Sequence, residues 1–124
     1  MPKTKSQPKP DPPTPRRSTC PVACMLDVVG DRWTLLVIRD LFLGRSRFRE
    51  FVASPEGIPT NILSDRLVRL QEQQIIEQIP AEDGTKRHAY RLTKKGHSLG
   101  PVLAALRDWG LTWVPGTQSF QKQK

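Results

Sequence analysis

One stretch of this chain constrains the fold more than any other: an apolar-striped segment that leads directly into two strands. Residues 57–76 read GIPTNILSDRLVRLQEQQII, and the spacing of the apolar side chains predicts a helix over about 59–74. Pro59 suits the first helical turn, where its missing N–H is no loss. The predicted inward face of this helix is formed by Leu63, Leu67, Leu70 and Gln74.

A tight hairpin is predicted immediately after that helix. The runs IIEQIPA and RHAYRLT have the composition of strands, and they flank the tetrapeptide EDGT, in which Asp83-Gly84 is a strong turn signal. The run SRFREFVAS, before the helix, predicts a shorter helix. A short helix, a turn, a longer amphipathic helix and a hairpin form a winged helix-turn-helix, which places its second helix in the DNA major groove.

Three further helices are predicted around this unit. CPVACMLDVVG has apolar side chains at helical spacing and a stop signal at Gly30. WTLLVIRDLFLG is apolar on nearly every face, as a central buried helix should be, and it ends at Gly44. Thr93 caps a last helix over about 94–113, in which Pro101 predicts a kink or a break near Leu99 and Gly100. The fold class is therefore α+β and mainly α.

The charge of the chain is placed mostly at its ends. The whole sequence has a net charge of +8, but residues 1–19 hold five basic residues against Asp11 and six of the 12 prolines. Such a segment buries too little apolar surface to fold, so we expect a disordered basic arm at 1–19. We expect one folded domain at 20–114 and a flexible tail at 115–124. The domain is nearly neutral, so charge alone does not establish nucleic-acid binding.

The sequence also argues against several other classes of protein. No run of about 18 apolar residues is present, so no membrane span or membrane partner is expected, and the N-terminus lacks a secretory signal. With no export signal, Cys20 and Cys24 fit a reduced, cytoplasmic setting. The two cysteines and two histidines lack the spacing of a zinc site, so we expect no metal and no cofactor. No phosphate loop, Cys-x-x-Cys or paired acid and base indicates an enzyme.

The outward face of the 59–74 helix carries short polar side chains that suit contact with DNA. Asparagine pairs with adenine, serine and threonine bond several base edges, and arginine favours phosphate. Asp65 is harder to place: it either accepts from a cytosine amine or pairs with a neighbouring arginine. An ordinary solvated helix face is the alternative interpretation. The candidate DNA-binding residues on this helix are Thr60, Asn61, Ser64, Asp65, Arg66 and Arg69.

Two other basic groups are candidates for contact with the DNA backbone. Lys86 and Arg87 lie at the hairpin tip, where adjacent cations fit a phosphate or a minor groove, although a solubilising loop would look the same. Arg45, Arg47 and Arg49 surround the start of the third helix. This trio is equally well explained as a surface cluster.

The motifs within residues 20–113 resemble the HxlR-type winged-helix transcription regulators, relatives of the MarR group. Cys-Pro, Gly-x-x-Trp-Thr, Arg-Phe-x-Glu, Leu-Ser-x-Arg-Leu and Tyr-x-Leu-Thr-x-x-Gly occur in order. The resemblance implies a homodimer that binds a pseudo-palindromic operator in double-stranded DNA, usually to repress a nearby gene. The extra N- and C-terminal helices would then be dimerisation helices. The interface candidates are Val22, Met25, Leu26, Leu103, Leu106, Trp109 and Trp113.

The resemblance also implies regulation by thiol chemistry or by an unknown small effector. Some members of that family sense oxidants or electrophiles through a cysteine in the position of Cys20. A helix N-terminus stabilises a thiolate and so favours its reactivity. Cys24 has no general counterpart in the family and is equally well explained as a small apolar side chain near an interface. A second function class stays open: a winged-helix protein-interaction module that does not read DNA sequence.

Overall fold

The computed structural model describes residues 18–80 and 88–119 of the 124-residue chain. The predictions made for residues 1–17, for the 82–85 turn and for Lys86 and Arg87 lie outside these residues. The chain divides into two compact units, residues 1–30 and residues 31–124.

The first unit contains one described helix, α1, at Pro21–Val29. A proline in the first turn loses no helical hydrogen bond, so Pro21 suits the start of this helix. The helix ends at Gly30, whose backbone N–H donates to the carbonyl oxygen of Leu26 at 2.8 Å. The predicted first helix and its glycine stop are therefore confirmed.

The second unit contains five helices and one hairpin among its described residues. Helices α2 (Thr34–Phe42), α3 (Phe48–Val52) and α4 (Thr60–Glu72) come first. Strands β1 (Ile76–Pro80) and β2 (His88–Leu92) follow, and α5 (Lys94–His97) and α6 (Gly100–Trp113) complete the unit. The strands pair antiparallel, with Ile76 opposite Leu92 and Gln78 opposite Tyr90. The predicted order of elements is confirmed, and it is that of a winged helix-turn-helix.

The core of this unit lies beneath α4. Leu63, Leu67 and Leu70 are all buried, as the leucine spacing predicts, because residues three or four apart share one face of a helix. Helix α3 and strand β1 both pack against α4. The other fully buried large side chains of the described core are Ile38, Phe51, Ile75 and Ile76.

The predicted inward position of Gln74 is wrong. Helix α4 ends at Glu72, and Gln74 is exposed with a φ of 61°, in the left-handed region. The chain reverses here so that Ile75 is buried instead, with its backbone N–H donating to the Leu70 carbonyl at 2.9 Å. The helix therefore ends two residues before its predicted end at about 74.

The last helical region is broken, as Pro101 predicts. Helix α5 ends at His97 and α6 begins at Gly100, with Pro101 in its first turn, where the missing N–H costs nothing. Thr93 caps α5, accepting a hydrogen bond from the Gly96 N–H at 3.1 Å. The start of α6 lies against α2, where the ring of Phe42 is 3.5 Å from the position of a Cβ on Gly100.

Helix α5 is fastened to the junction between α4 and β1. The Thr93 hydroxyl donates to the Gln74 carbonyl at 2.6 Å, and Lys95 Nζ donates to the Gln73 carbonyl at 2.8 Å. A side chain at Gly96 would place a Cβ 2.2 Å from the Ile75 carbonyl oxygen, so only glycine permits this close approach. Among the described helices, none is both long and apolar enough to cross a membrane.

Candidate nucleic-acid interface

The outward face of α4 is a continuous polar surface opposite the three buried leucines. Its members reach solvent from the first turn of the helix to the last, and Val68, with 52% of its surface exposed, is the one apolar side chain among them. An exposed valine suits contact with the methyl group of thymine. The exposed residues of this face are Thr60, Asn61, Ser64, Asp65, Val68, Arg69 and Glu72.

Arg66 lies at the edge of this face and is held by two carboxylates. Its side chain is only 19% exposed, and its Nε donates to Asp31 Oδ1 at 3.2 Å. Its Nη1 forms an ion pair with Asp65. Asp65 therefore pairs with a neighbouring arginine, the second of its two predicted roles.

The carboxylate of Asp31 joins the start of α2 to α4. Besides Arg66, it accepts from the backbone N–H groups of Trp33 and Thr34 at 2.8 and 3.0 Å and from the Thr34 hydroxyl. Partial burial raises the pKa of Asp31, but these hydrogen bonds outweigh burial and hold the pKa well below its usual range. Asp31 is therefore ionised at neutral pH and fixes the position of Arg66. The sequence alone did not point to Asp31, because its partner Arg66 lies 35 residues further along the chain.

The predicted trio of arginines is divided by the structure. Arg45 Nη1 donates at 2.8 Å to Asp40 Oδ1, a carboxylate whose side chain is only 4% exposed. Ser54 donates to the other oxygen of Asp40. A buried charge requires partners, so the role of Arg45 is to pair with the buried carboxylate of Asp40. Arg47 and Arg49 lie apart from this cluster, beside the hairpin.

A second arginine completes the Asp40 cluster. Arg39 donates to Asp40 Oδ1 through Nη2 at 2.8 Å, and its guanidinium also forms two hydrogen bonds of 2.8 Å with the Glu56 carboxylate. The Arg39 hydrogen bonds, despite partial burial, lower the pKa of Glu56. The cluster therefore ties α2 to the residues that follow α3.

Helices α1 and α6 both expose apolar side chains. In α1, Val22 is 66% and Leu26 is 55% exposed, whereas Met25 is partly buried. Helix α6 has no buried residue along its length. In α6, Leu106 is 52%, Trp109 is 63% and Trp113 is 68% exposed, and Leu103 is partly buried.

The two cysteines have different environments at the start of α1. Cys20 is exposed and occupies the position just before the first helical residue. Cys24 is partly buried, and its Sγ donates to the Ser18 carbonyl at 3.4 Å. Both are free thiols. Within residues 18–80 and 88–119, no three cysteine, histidine, aspartate or glutamate side chains come together as metal ligands.

The fold and the exposed face of α4 define a winged helix-turn-helix protein. The chain belongs to the HxlR-like helix-turn-helix family, whose model matches residues 28–118.

The chain is similar to several proteins that are named as transcriptional regulators. It is 40% identical over 90 residues to the HTH-type transcriptional regulator Rv3095 of Mycobacterium tuberculosis, across 73% of this chain and 56% of that relative. The chain thus spans little more than half the length of this relative. It is 30% identical over 107 residues to the transcriptional regulator YodB of Bacillus subtilis, across 85% of this chain and 96% of YodB.

Solved structures show the same architecture. The crystal structure of PA1607, a candidate transcription factor, matches with a TM-score of 0.75 and 43% identity, over 85% of this chain and 74% of that one. The reduced form of YodB from Bacillus subtilis matches with a TM-score of 0.64 and 27% identity, over 82% of this chain and all of YodB. The winged helix-turn-helix architecture is therefore common to this chain and to both structures.

Proposed function

We propose that this protein is a dimeric DNA-binding transcriptional regulator that represses a nearby gene. The observation that carries the proposal is the polar outward face of α4, which lies opposite three buried leucines in a winged helix-turn-helix. A dimer would place two copies of α4 in successive major grooves, roughly 34–36 Å apart. Membership of the HxlR-like family supports this function.

The base-reading contacts are assigned to the first two turns of α4. Thr60, Asn61 and Ser64 are exposed there, and residues at the start of a recognition helix contact base edges. Arg69 is exposed further along the same helix and is assigned to phosphate. Lys86 and Arg87, which the sequence predicts at the hairpin tip, are assigned to backbone or minor-groove contacts on their charge alone.

Asp65 and Arg66 are assigned together as a pair. An isolated carboxylate facing phosphate would oppose binding, and the ion pair with Arg66 offsets that charge. Because Asp31 also holds the guanidinium, Arg66 would meet DNA in an already ordered conformation. Ordering before binding reduces the entropy lost when the complex forms.

Dimerisation is assigned to α1 and α6. The exposed side chains of α6 recur at helical spacing, and a cavity of about 480 Å³ lies beside them between α2 and α6. Leu35, Phe42 and Leu103 are among the apolar residues that line this cavity. A contiguous apolar surface of this kind is typical of an interface, and a second copy of the chain would cover it.

Binding to its own flanking DNA is the first test of the function. Fluorescence anisotropy should show tighter binding to the intergenic DNA beside the protein's gene than to random DNA of equal length. Asn61→Ala should reduce that preference by about 1–3 kcal/mol, because a bidentate contact with adenine discriminates by that amount. Its affinity for random DNA should not change.

Two results would contradict this assignment. Equal binding of the wild-type protein to both DNAs would favour the protein-interaction module over a sequence-reading regulator. An unchanged preference in Asn61→Ala would show that the reading face has been misplaced on α4.

We also propose that Cys20 makes DNA binding sensitive to oxidants. Structures of YodB exist in reduced, quinone-bound and diamide-treated forms. In this chain Cys20 is the exposed thiol and Cys24 the shielded one. Two Cys20 thiols, one from each subunit, would form one disulfide, and diamide would take up the two electrons and two protons and become a hydrazine.

Diamide treatment should therefore lower the affinity of the wild-type protein for the flanking DNA, and a reducing agent should restore it. Cys20→Ser should remove the response, whereas Cys24→Ser should retain it. Anisotropy measurements before and after treatment, with non-reducing electrophoresis to detect linked subunits, would test this. A response that persists in Cys20→Ser would refute the assignment.

A further inference from the structure

The cavity between α2 and α6 has the size and the lining of a site for a small molecule. Its volume is about 480 Å³, and small-molecule sites occupy about 300–1,000 Å³. One wall is a face of α2, where Leu35, Phe42 and Leu43 are partly buried. The opposite wall is a face of α6, where Leu103 and Ala104 are partly buried. The described lining is therefore mainly apolar.

The charged side chains of this lining are cationic. Arg39 lines the cavity from α2 and Arg107 from α6, and no carboxylate is among the described lining residues. Arg39 is already held by Asp40 and Glu56. Arg107 donates through Nε to Asp108 at 3.0 Å, and its side chain is 51% exposed. Because a guanidinium carries five N–H donors, Arg107 can also bind an anionic group.

The chain returns to the cavity after α6 and supplies a third wall. Gly116 has a φ of 84°, in the left-handed region that favours glycine. The hydroxyl of the next residue, Thr117, donates to the Val114 carbonyl at 2.9 Å. This turn is followed by Gln118 and Ser119, which line the cavity and add neutral polar groups to it.

We propose that this cavity binds a small apolar organic acid, whose carboxylate pairs with Arg107 and whose hydrocarbon part lies between α2 and α6. Cationic side chains without a carboxylate in the described lining favour an anion over a cation. A second copy of the chain would lie beside this ligand and not in its place. Trp109 and Trp113 are the most exposed large apolar side chains of α6, and neither lines the cavity.

Helix α2 connects this cavity with α4. Leu35 and Leu36 line the cavity, and the backbone N–H of the preceding residue, Thr34, donates to Asp31 at 3.0 Å. The same carboxylate holds Arg66 of α4 at 3.2 Å. A ligand that displaces the start of α2 would disturb the position of Arg66, so we expect it to weaken DNA binding. This regulatory part of the inference rests on the proposed DNA-binding function.

Isothermal titration calorimetry without DNA tests the site, with 1-naphthoate and its neutral amide, 1-naphthamide. The two compounds are nearly equal in size and differ in charge. Naphthoate should bind the wild-type protein about fivefold more tightly than naphthamide, because a partly exposed ion pair contributes about that factor. Arg107→Gln should reduce naphthoate binding to the level of naphthamide and leave naphthamide binding unchanged.

Filling the cavity is an independent test of the same site. Ala104→Phe should abolish the binding of both compounds, because the Ala104 side chain lines the cavity. Ala105→Phe is the matched control, since Ala105 is exposed and is not among the lining residues. Circular dichroism should show the same helix content in both variants.

Three results of the calorimetry would overturn the proposed site. They are no saturable binding of naphthoate, equal binding of the two compounds by the wild-type protein, and an equal loss of binding in Ala105→Phe. Naphthoate binding that weakens as the subunits assemble would also overturn it, because a second copy would then fill the cavity.

Fluorescence anisotropy tests the regulatory part separately. Naphthoate should lower the affinity of the wild-type protein for its flanking DNA but should not affect Ala104→Phe. Naphthoate binding without this effect would refute the regulation and leave the site. A wild-type protein with no preference for flanking DNA would refute sequence reading but would leave the calorimetric test valid.

Discussion

Replacing Asp40 with alanine is expected to destabilise the folded chain by about 3 kcal/mol, because removing one partner of a buried ion pair leaves the other charge uncompensated. The Asp40 side chain is only 4% exposed and accepts from Arg39, Arg45 and Ser54. This expected loss of stability lies at the low end of the range for removing one partner of a buried ion pair, because the Arg45 side chain is 23% exposed and can turn towards water.

Urea unfolding followed by circular dichroism, at one fixed protein concentration, would measure this loss. Glu56→Ala is the matched control, because Glu56 pairs with the same Arg39 from a side chain that is 32% exposed. Exposed ion pairs contribute at most about 1 kcal/mol, so this variant should remain close to the wild type. Equal losses in the two variants would show that Asp40 is not the centre of the cluster.

Introducing lysine at both Leu106 and Trp109 is expected to convert the proposed dimer into monomers and to lower operator affinity by about 100-fold or more. Two half-sites bound by one linked dimer gain about 10²–10⁴ in affinity over one half-site bound alone. Both side chains are more than half exposed on α6, so the substitutions leave the core of the subunit intact. The loss should therefore come from assembly.

Light scattering after size-exclusion chromatography would give the assembly state, and anisotropy would give the affinity. Leu111→Lys is the control, because Leu111 is also exposed but lies about 140° around the helix from Leu106. The control should remain dimeric and bind DNA normally. A wild-type chain that is already monomeric, or a double variant that still assembles, would rule out α6 as the interface.

The local features of this fold follow from the sequence. The leucine spacing of α4, the cap at Thr93 and the break before Pro101 each depend on residues within one or two turns of one another. Such local signals act through helix geometry and need no knowledge of the tertiary structure. This reasoning fails at Gln74, because the helix has already ended there. Gln74 adopts a left-handed backbone conformation, and the chain reverses sharply into β1.

The polar clusters could not be predicted, because their members are distant in the sequence. Asp31 meets Arg66 across 35 residues, and Asp40 meets Ser54 across 14. In the sequence, Arg45, Arg47 and Arg49 form one basic group. Only the folded structure shows that Arg45 pairs with the buried carboxylate of Asp40. The outward face of α4 lies between these cases: helical periodicity predicts its exposure, but not the ion pairs that order Arg66.

The short link between α5 and α6 has a mechanical consequence. Helix α5 is fastened to the junction between α4 and β1 by Thr93, Lys95 and the close approach at Gly96. Only Ser98 and Leu99 separate α5 from α6. Both residues have helical backbone angles, and the Leu99 N–H donates to the Gly96 carbonyl at 3.0 Å, so the link is a tight, hydrogen-bonded turn. If α6 forms the dimer, the angle at this turn sets the separation of the two copies of α4. A small change in that angle would move the two copies of α4 out of step with the helical repeat of DNA.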